Sequence, residues 1–492
     1  MALLSFAPAY LVPVLTTFFG IYAITRILSP SEYGEYAFVM SVMLLVQSGL
    51  FAWIDLGTKR FFERSVQADK LAAMCRTLYL ALGICSLGLV AGCAAVLGVS
   101  GVPSPLVRLL WIAAAVIIAK EISLVSKNLE LAALGRTRYM LMECGESVIG
   151  VGLGVALCWY FDFRADGILY GMLAGALSVV AFDARRTLLR MRGGAIDFGL
   201  QKEILVFSAP VAIATLIEFA MASIDRVMVQ FFLGAYDLGI YAIASSIAQR
   251  AVTAVFLALG IASYPLLVRA FERGGREAAV DQARQNVEVL MALAIPAWAG
   301  FTVASGRIAT VLAGPAYAER VADLLPLAGA GILAYSIRVH YFAHSQHLTG
   351  KTWSLLVASV PAVLVNIVAN AALLPWMGII GTVWAKLLAY VVALGISIIQ
   401  SQRQFPLPFP IREVTRISLA SLAMFGLLLV IRFPNNSLGL IELIATGAAM
   451  YGMMTIIFDL GRLRSLWLMH RKSSETADVE RLGMFASQRR LG

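Results

Sequence analysis

Three cations interrupt long apolar runs of this 492-residue chain, Arg250, Arg338 and Lys386, each near the middle of its run, and Arg26 lies toward the end of another. A bare charge in hydrocarbon costs about 2.5 to 3.5 kcal/mol on insertion scales, so each needs either a water-filled passage or a partner. As the lining of a passage these side chains would draw in an anion, and an arginine offers a phosphate two parallel N–H donors where a lysine offers a point charge. The alternative is that they pair with acids, Glu218 being the one carboxylate clearly in mid-run, or cap carbonyls to hold helices together. Glu218 and Asp225 are seven residues apart, two turns along one helix face. A carboxylate beside an arginine in low dielectric can take up and release a proton, which is the chemistry of coupling to an ion gradient. The competing reading of Asp225 is a static pair with Arg226 or Arg26.

Other polar groups support less. His340, His344 and His347 fall at i, i+4 and i+7, a spacing that could hold a metal or relay protons. Polar residues gather at helix ends for simpler reasons, so no metal site is assigned. Asn366 and Asn370, one turn apart, suit bonds between helices or the lining of a cavity. No GxxxxGK[ST] sequence occurs, so no nucleotide is expected as energy source, and no cofactor is expected.

The elements that must position these residues are membrane helices. Sixty per cent of the residues are hydrophobic, 14% are charged and the mean hydropathy is +0.83, a balance that no soluble domain of this length could keep off its surface. Hydropathy predicts about fourteen spans, near 8–28, 36–56, 76–98, 106–130, 139–161, 166–183, 204–224, 237–264, 286–304, 324–345, 353–374, 378–400, 414–432 and 438–459. Alternation of strand type is absent, which excludes a barrel. Of the 39 Lys and Arg residues, alternate gaps place 29 on one side, Lys120, Lys127 and a basic tail among them, and seven on the other, leaving three inside spans. That bias predicts cytoplasmic termini, and it assigns the net charge of +10 to topology and anionic lipid heads, not to nucleic acid. The first span lacks a basic leader and runs into a second, so it is read as a retained helix. Cys75, Cys85, Cys93, Cys144 and Cys158 show no metal spacing and read as buried apolar side chains. Pro8, Pro13 and Pro210 mark bending points in the first and seventh spans, and Gly150, Gly152, Gly154, Gly171 and Gly175 mark close helix packing.

An internal repeat is legible. Glu32-Tyr33-Gly34-Glu35-Tyr36-Ala37 follows the first span and Asp237-Leu238-Gly239-Ile240-Tyr241-Ala242 follows the seventh, an acidic–large–Gly–any–Tyr–Ala pattern in both. Six spans separate the copies, so the halves run parallel. At these residues, with Arg26-Ile27-Leu28-Ser29-Pro30-Ser31 before the first copy and Ile224-Asp225-Arg226, Phe231-Phe232-Leu233-Gly234 before the second, the chain resembles the Wzx-like polysaccharide flippases of the multidrug/oligosaccharidyl-lipid/polysaccharide exporter superfamily. The resemblance implies an all-α polytopic fold with two six-helix lobes in a V, an N-lobe at 1–200 and a C-lobe at 201–402. Two added spans at 403–460 and a basic cytoplasmic tail at 461–492 would follow. It further implies a bacterial inner-membrane transporter, not an enzyme, that passes an undecaprenyl-pyrophosphate-linked oligosaccharide to the outer leaflet for surface or exopolysaccharide synthesis, lipopolysaccharide included. On this expectation Arg26, Arg250, Arg338 and Lys386 line the cavity, and Glu218 and Asp225 serve a coupling ion, H+ or Na+. Glycan polymerase or export proteins are the expected protein partners. A drug or metabolite exporter of the same superfamily, and a membrane glycan polymerase or ligase, are the alternatives; the short outer gaps speak against an enzyme and a cationic interior against a drug exporter.

Overall fold

The structure is a computed structural model that describes residues 7–99, 104–350 and 354–462. The expected basic tail lies outside the described residues beyond 462, as does Lys351. No strand occurs among the described residues. In hydrocarbon every backbone N–H and C=O must find a partner inside its own segment, and a helix does this locally. The order is α1 (Ala7–Ile27), α2 (Pro30–Leu50), α3 (Ala52–Gln67), α4 (Leu71–Val99), α5 (Ser104–Ala132), α6 (Arg136–Phe161), α7 (Arg164–Met191) and α8 (Phe198–Phe232). It continues with α9 (Ala235–Leu312), α10 (Pro315–Ile337), a π turn (Arg338–Phe342), α11 (Ala343–Thr349), α12 (Ser354–Met377), α13 (Ile379–Gln404), α14 (Ile411–Val430) and α15 (Ser437–Phe458).

Among the described residues, twelve helices are long and apolar enough to cross a membrane, thirteen if α2 and α3, bent by 48° to each other, form one span, and Leu11–Ile27 is a shorter apolar helix. Each hydropathy span falls on one of these, and the chain is a multi-pass membrane protein. The bend after Leu50 has a compositional cause: α3 carries Lys59, Arg60 and Arg64 and leaves the apolar direction of α2. Lys120 and Lys127, counted with a loop from the sequence, lie within α5. The long α9 is broken at Gly275, whose φ of +68 only glycine adopts without strain.

Two compact units result. Unit one comprises Met1–Ser245, Ala309–Leu324 and Ser359–Ala389; unit two comprises Ser246–Ile308, Leu325–Ala358 and Tyr390–Gly492. In unit one the first repeat copy begins α2 through a capping box. Ser29 N and Glu32 Oε2 are 2.9 Å apart, the Glu32 N–H is turned to Ser29 Oγ, and Pro30 occupies a position where no donor is missed. The second copy begins α9 after Gly234, φ +87. The two repeat glycines meet each other's helix start: a Cβ on Gly34 would run into the Ala235 carbonyl, and one on Gly239 into the Pro30 carbonyl. The shared glycine is therefore needed because α2 and α9 cross there backbone to backbone. The same end of unit one is tied by Tyr317, whose hydroxyl donates to Leu28 O at 2.9 Å, and by a Tyr33–Tyr317 edge contact.

Helices α6 and α7 pack as closely. A Cβ on Gly171 would strike Gly150 and Gly154, and one on Gly175 would strike Glu146 and Gly150. Gly152 faces open space, since a residue two away from Gly150 and Gly154 lies on the opposite side of the helix. In unit two, Arg307 caps the Phe433 and Pro434 carbonyls at 2.8 and 3.2 Å, Gly447 of α15 sits against Leu428 of α14, and Gly461 fits against Ala292.

Candidate functional site

A buried polar group of unit one joins α8, α9 and α13. Asp225 is fully buried, and its Oδ2 accepts Lys386 Nζ at 2.7 Å and the Tyr241 hydroxyl, while its Oδ1 accepts the Arg226 backbone N–H at 3.1 Å. Ala222 O also faces the ammonium, at 3.4 Å. Tyr241 is the tyrosine of the second repeat copy, so the motif supplies a donor to this carboxylate as well as the glycine crossing. Three donors leave Asp225 well satisfied, and a tethered ammonium occupies the place that an exchangeable cation would need. The static partner anticipated for Asp225 was Arg226 or Arg26; it is Lys386, which the fold brings across from α13. Arg226 contributes only its backbone N–H.

Seven residues back along α8, half-buried Glu218 accepts the Ser359 hydroxyl of α12. Glu218 and Asp225 thus share a face as read from their spacing, one directed at α12 and the other at α13. Also on α12, Asn370 Nδ2 donates to Asn366 O at 2.9 Å, a bond within one helix where bonds between helices or the lining of a cavity were the expectation, and both side chains are fully buried.

Arg26 is exposed at the end of α1. Its guanidinium stacks 3.7 Å from the Tyr22 ring centroid and donates to Tyr22 O at 2.9 Å and Val311 O at 3.1 Å. Those bonds satisfy carbonyls at two helix ends. Arg250 and Arg338 belong to unit two. Arg250 is half-buried on α9. Arg338 is 3% exposed, opens the π turn, and lies over the Tyr335 ring, which in turn packs on Tyr390 at 5.0 Å. A π turn widens the helix locally and recurs at functional positions. His340, within the turn, stacks on Phe256, and His344 and His347, which follow it on α11, both meet Tyr264. Among the described residues no group of three or more His, Cys, Asp or Glu is placed to hold a metal ion.

Sequence reasoning passed over a second polar group in unit one. Lys127 of α5 pairs with Glu143 at 2.9 Å and Glu146 at 3.0 Å, both on α6, and Ser123 donates to Glu146 at 2.6 Å. Beside it, Gln47 Nε2 of α2 donates to fully buried Glu121, and Asn128 Nδ2 donates to Asp55 of α3 at 3.1 Å. The signal was present in the spacing: Lys120 and Lys127, like Glu121 and Asn128, are seven apart on one helix. Toward the ends of α5 and α7, buried Glu130 and Asp183 are ringed by Arg138, Arg186 and Arg190.

The comparisons with known proteins agree with this architecture. The family model described as polysaccharide biosynthesis protein matches residues 23–322. A search of the curated proteins finds no match. Among solved structures, the lipid II flippase MurJ in an inward closed conformation is similar at 15% identity and TM-score 0.75, over 92% of this chain and 98% of that one. An inward-facing multidrug resistance MATE family transporter of the MOP superfamily is similar at 13% identity and TM-score 0.60, over 84% and 99%. A MOP superfamily transporter from Pyrococcus furiosus, described by the reverse polarity of its binding pocket, is similar at 14% identity and TM-score 0.55, over 82% and 94%. The solved structures share the fold, and the match over more than half of the length shows that the chain belongs to the polysaccharide biosynthesis protein family.

Proposed function

We propose that the chain is a transporter, not an enzyme, that flips an undecaprenyl-pyrophosphate-linked oligosaccharide from the cytoplasmic to the outer leaflet of a bacterial inner membrane, by alternating access. The observation that carries this reading is the conjunction of a polysaccharide-biosynthesis family match over residues 23–322 with a MurJ-like fold over 92% of the chain. In this reading the two six-helix lobes, 1–200 and 201–402, are the moving parts, 403–460 is an addition, and the charge bias sets both termini in the cytoplasm.

The cations take different parts. Arg338, deep in the bilayer on a widened turn, and Arg250 are the residues assigned to the pyrophosphate, for which the guanidinium fork is suited. Lys386 is held by Asp225 and Arg26 by carbonyls, so these two are assigned to holding helices around the passage. Likeness to the MATE transporter supports a drug-export reading less well, at TM-score 0.60 against 0.75. The test is a strain whose surface glycan depends on this chain. Arg338→Ala and Arg250→Ala are expected to leave the protein in the membrane at normal abundance and to reduce surface glycan severely. Normal glycan from both variants overturns the assignment.

A further inference from the structure

One positive and one negative charge meet where α8, α9 and α13 join, and oxygen atoms surround them. Lys386 Nζ lies 2.7 Å from Asp225 Oδ2 and 3.4 Å from Ala222 O, and the Tyr241 hydroxyl meets the same carboxylate oxygen. More polar atoms stand at that depth than the pair uses. A Cβ on Gly381 would strike Leu373 across the α12–α13 turn, so Lys386, five residues further along α13, is level with position 368 of α12, between Asn366 and Asn370. Two ties, Glu218 to Ser359 and Asp225 to Lys386, run α8 and α12 in one direction. Asn366 is seven residues from Ser359, as Asp225 is from Glu218, which puts Asn366 on the α8 side of α12 at the depth of Asp225. Thr382 is one turn before Lys386 on α13. Asn366, Asn370 and Thr382 are fully buried, and Asn366 Nδ2, Asn370 Oδ1 and Thr382 Oγ1 lack a hydrogen-bond partner among the described residues.

We propose that this is a monovalent-cation site whose occupant is the Lys386 ammonium itself: the chain holds a tethered cation where a free alkali ion would fit, and its cycle draws none from solution at this point. An ammonium and an alkali ion make the same demand, one positive charge set among oxygen atoms. Asp225 brings one negative charge, which a monovalent ion cancels and a divalent ion would exceed, in surroundings where an excess charge is costly. Glu218, the other carboxylate of this face of α8, is two turns away and turned to Ser359, so no second negative charge joins the first. Burial separates this pair from a surface ion pair: Asp225 is fully enclosed and Lys386 nearly so. If the lysine side chain is cut back, the charge of Asp225 and the neighbouring oxygens stay, and an alkali ion becomes the group that fits the space. Lys386 is then the residue that makes the site independent of dissolved cations.

The consequence for the cycle rests on the transport reading, so two measurements separate their failures. First, thermal unfolding of the purified wild type and of Lys386→Ala is followed as sodium or potassium chloride replaces choline chloride at constant ionic strength, with no cargo present. The wild type is expected to unfold at one temperature throughout. Lys386→Ala is expected to unfold lower in choline and to rise with sodium or potassium to a plateau, since an ion that binds only the folded state raises the folded-to-unfolded ratio about a hundredfold at a hundred times its dissociation constant. Lys386→Ala/Asp225→Asn is expected to lose that rise. A sodium or potassium response in the wild type, none in Lys386→Ala, or one that persists in the double variant overturns the proposal, as does failure of Lys386→Ala to fold even at high alkali concentration. Second, the wild type is placed in vesicles with a lipid-linked oligosaccharide, and choline replaces sodium and potassium on both sides. Flipping is expected to keep its rate, and a several-fold fall overturns the proposal without recourse to any variant. Absence of flipping by the wild type in every salt, with the response of Lys386→Ala intact, overturns the transport reading alone.

Discussion

Replacing Lys386 with methionine keeps the length of the side chain and removes its charge, leaving Asp225 as a buried carboxylate with the Tyr241 hydroxyl and the Arg226 N–H as donors but no counter-ion. Removing one partner of a buried pair costs about 3–5 kcal/mol, because the remaining charge stays in low dielectric. Removing both is often neutral. The structure therefore gives a non-additive pattern: Lys386→Met and Asp225→Asn are each expected to be strongly destabilising, and the double variant is expected to recover most of that loss. A cost near 4 kcal/mol lowers the ratio of folded to unfolded protein about a thousandfold. Equilibrium unfolding in mixed micelles, run on the wild type, both single variants and the double variant, measures the cycle directly. If the two single losses simply add in the double variant, Lys386 and Asp225 do not act as a pair.

Three further outcomes follow from the packing. Gly171→Leu should destabilise by about 1–3 kcal/mol or more, since its side chain meets the backbone of Gly150 and Gly154, whereas Gly152→Leu should stay within about 0.5 kcal/mol; thermal unfolding of both in one detergent checks the contrast. Gly34→Val and Gly239→Val should each force α2 and α9 apart, and a Leu28→Cys/Tyr317→Cys pair that crosslinks in the parent should crosslink poorly in either valine background. Lys127→Met leaves Glu143 and Glu146 side by side; membrane abundance should fall and be restored in part by adding Glu143→Gln, and no restoration would argue against the three-way pairing.

The spans were legible because hydropathy over some twenty residues measures the same quantity the bilayer does. The repeat was legible as a pattern, but its cause was not. Nothing in Glu32-Tyr33-Gly34 or Asp237-Leu238-Gly239 announces that the two glycines face each other's helix start, since that contact spans some two hundred positions. The depth of Lys386 was read from its place in an apolar run. Its partner Asp225 was not, because sequence neighbourhood offered Arg226 while the fold offered α13. Lys120 and Lys127 were assigned to a loop by charge counting alone; the seven-residue spacing on α5, with Glu143 and Glu146 one turn apart on α6, shows that helical period would have placed them on facing surfaces. Gly152 was grouped with its neighbours for the same reason, and the period of the helix separates it.

Movement of a lipid-linked glycan between leaflets is measured in vesicles that carry the purified chain and an undecaprenyl-pyrophosphate-linked oligosaccharide placed in one leaflet. Lectin added on the opposite side reports arrival of the sugar. Vesicles with the chain are expected to expose the sugar far faster than protein-free vesicles, with Arg338→Ala slowing the process. Equal rates with and without the chain, when its unfolding transition shows it to be folded, would mean that the chain does not move the lipid-linked sugar.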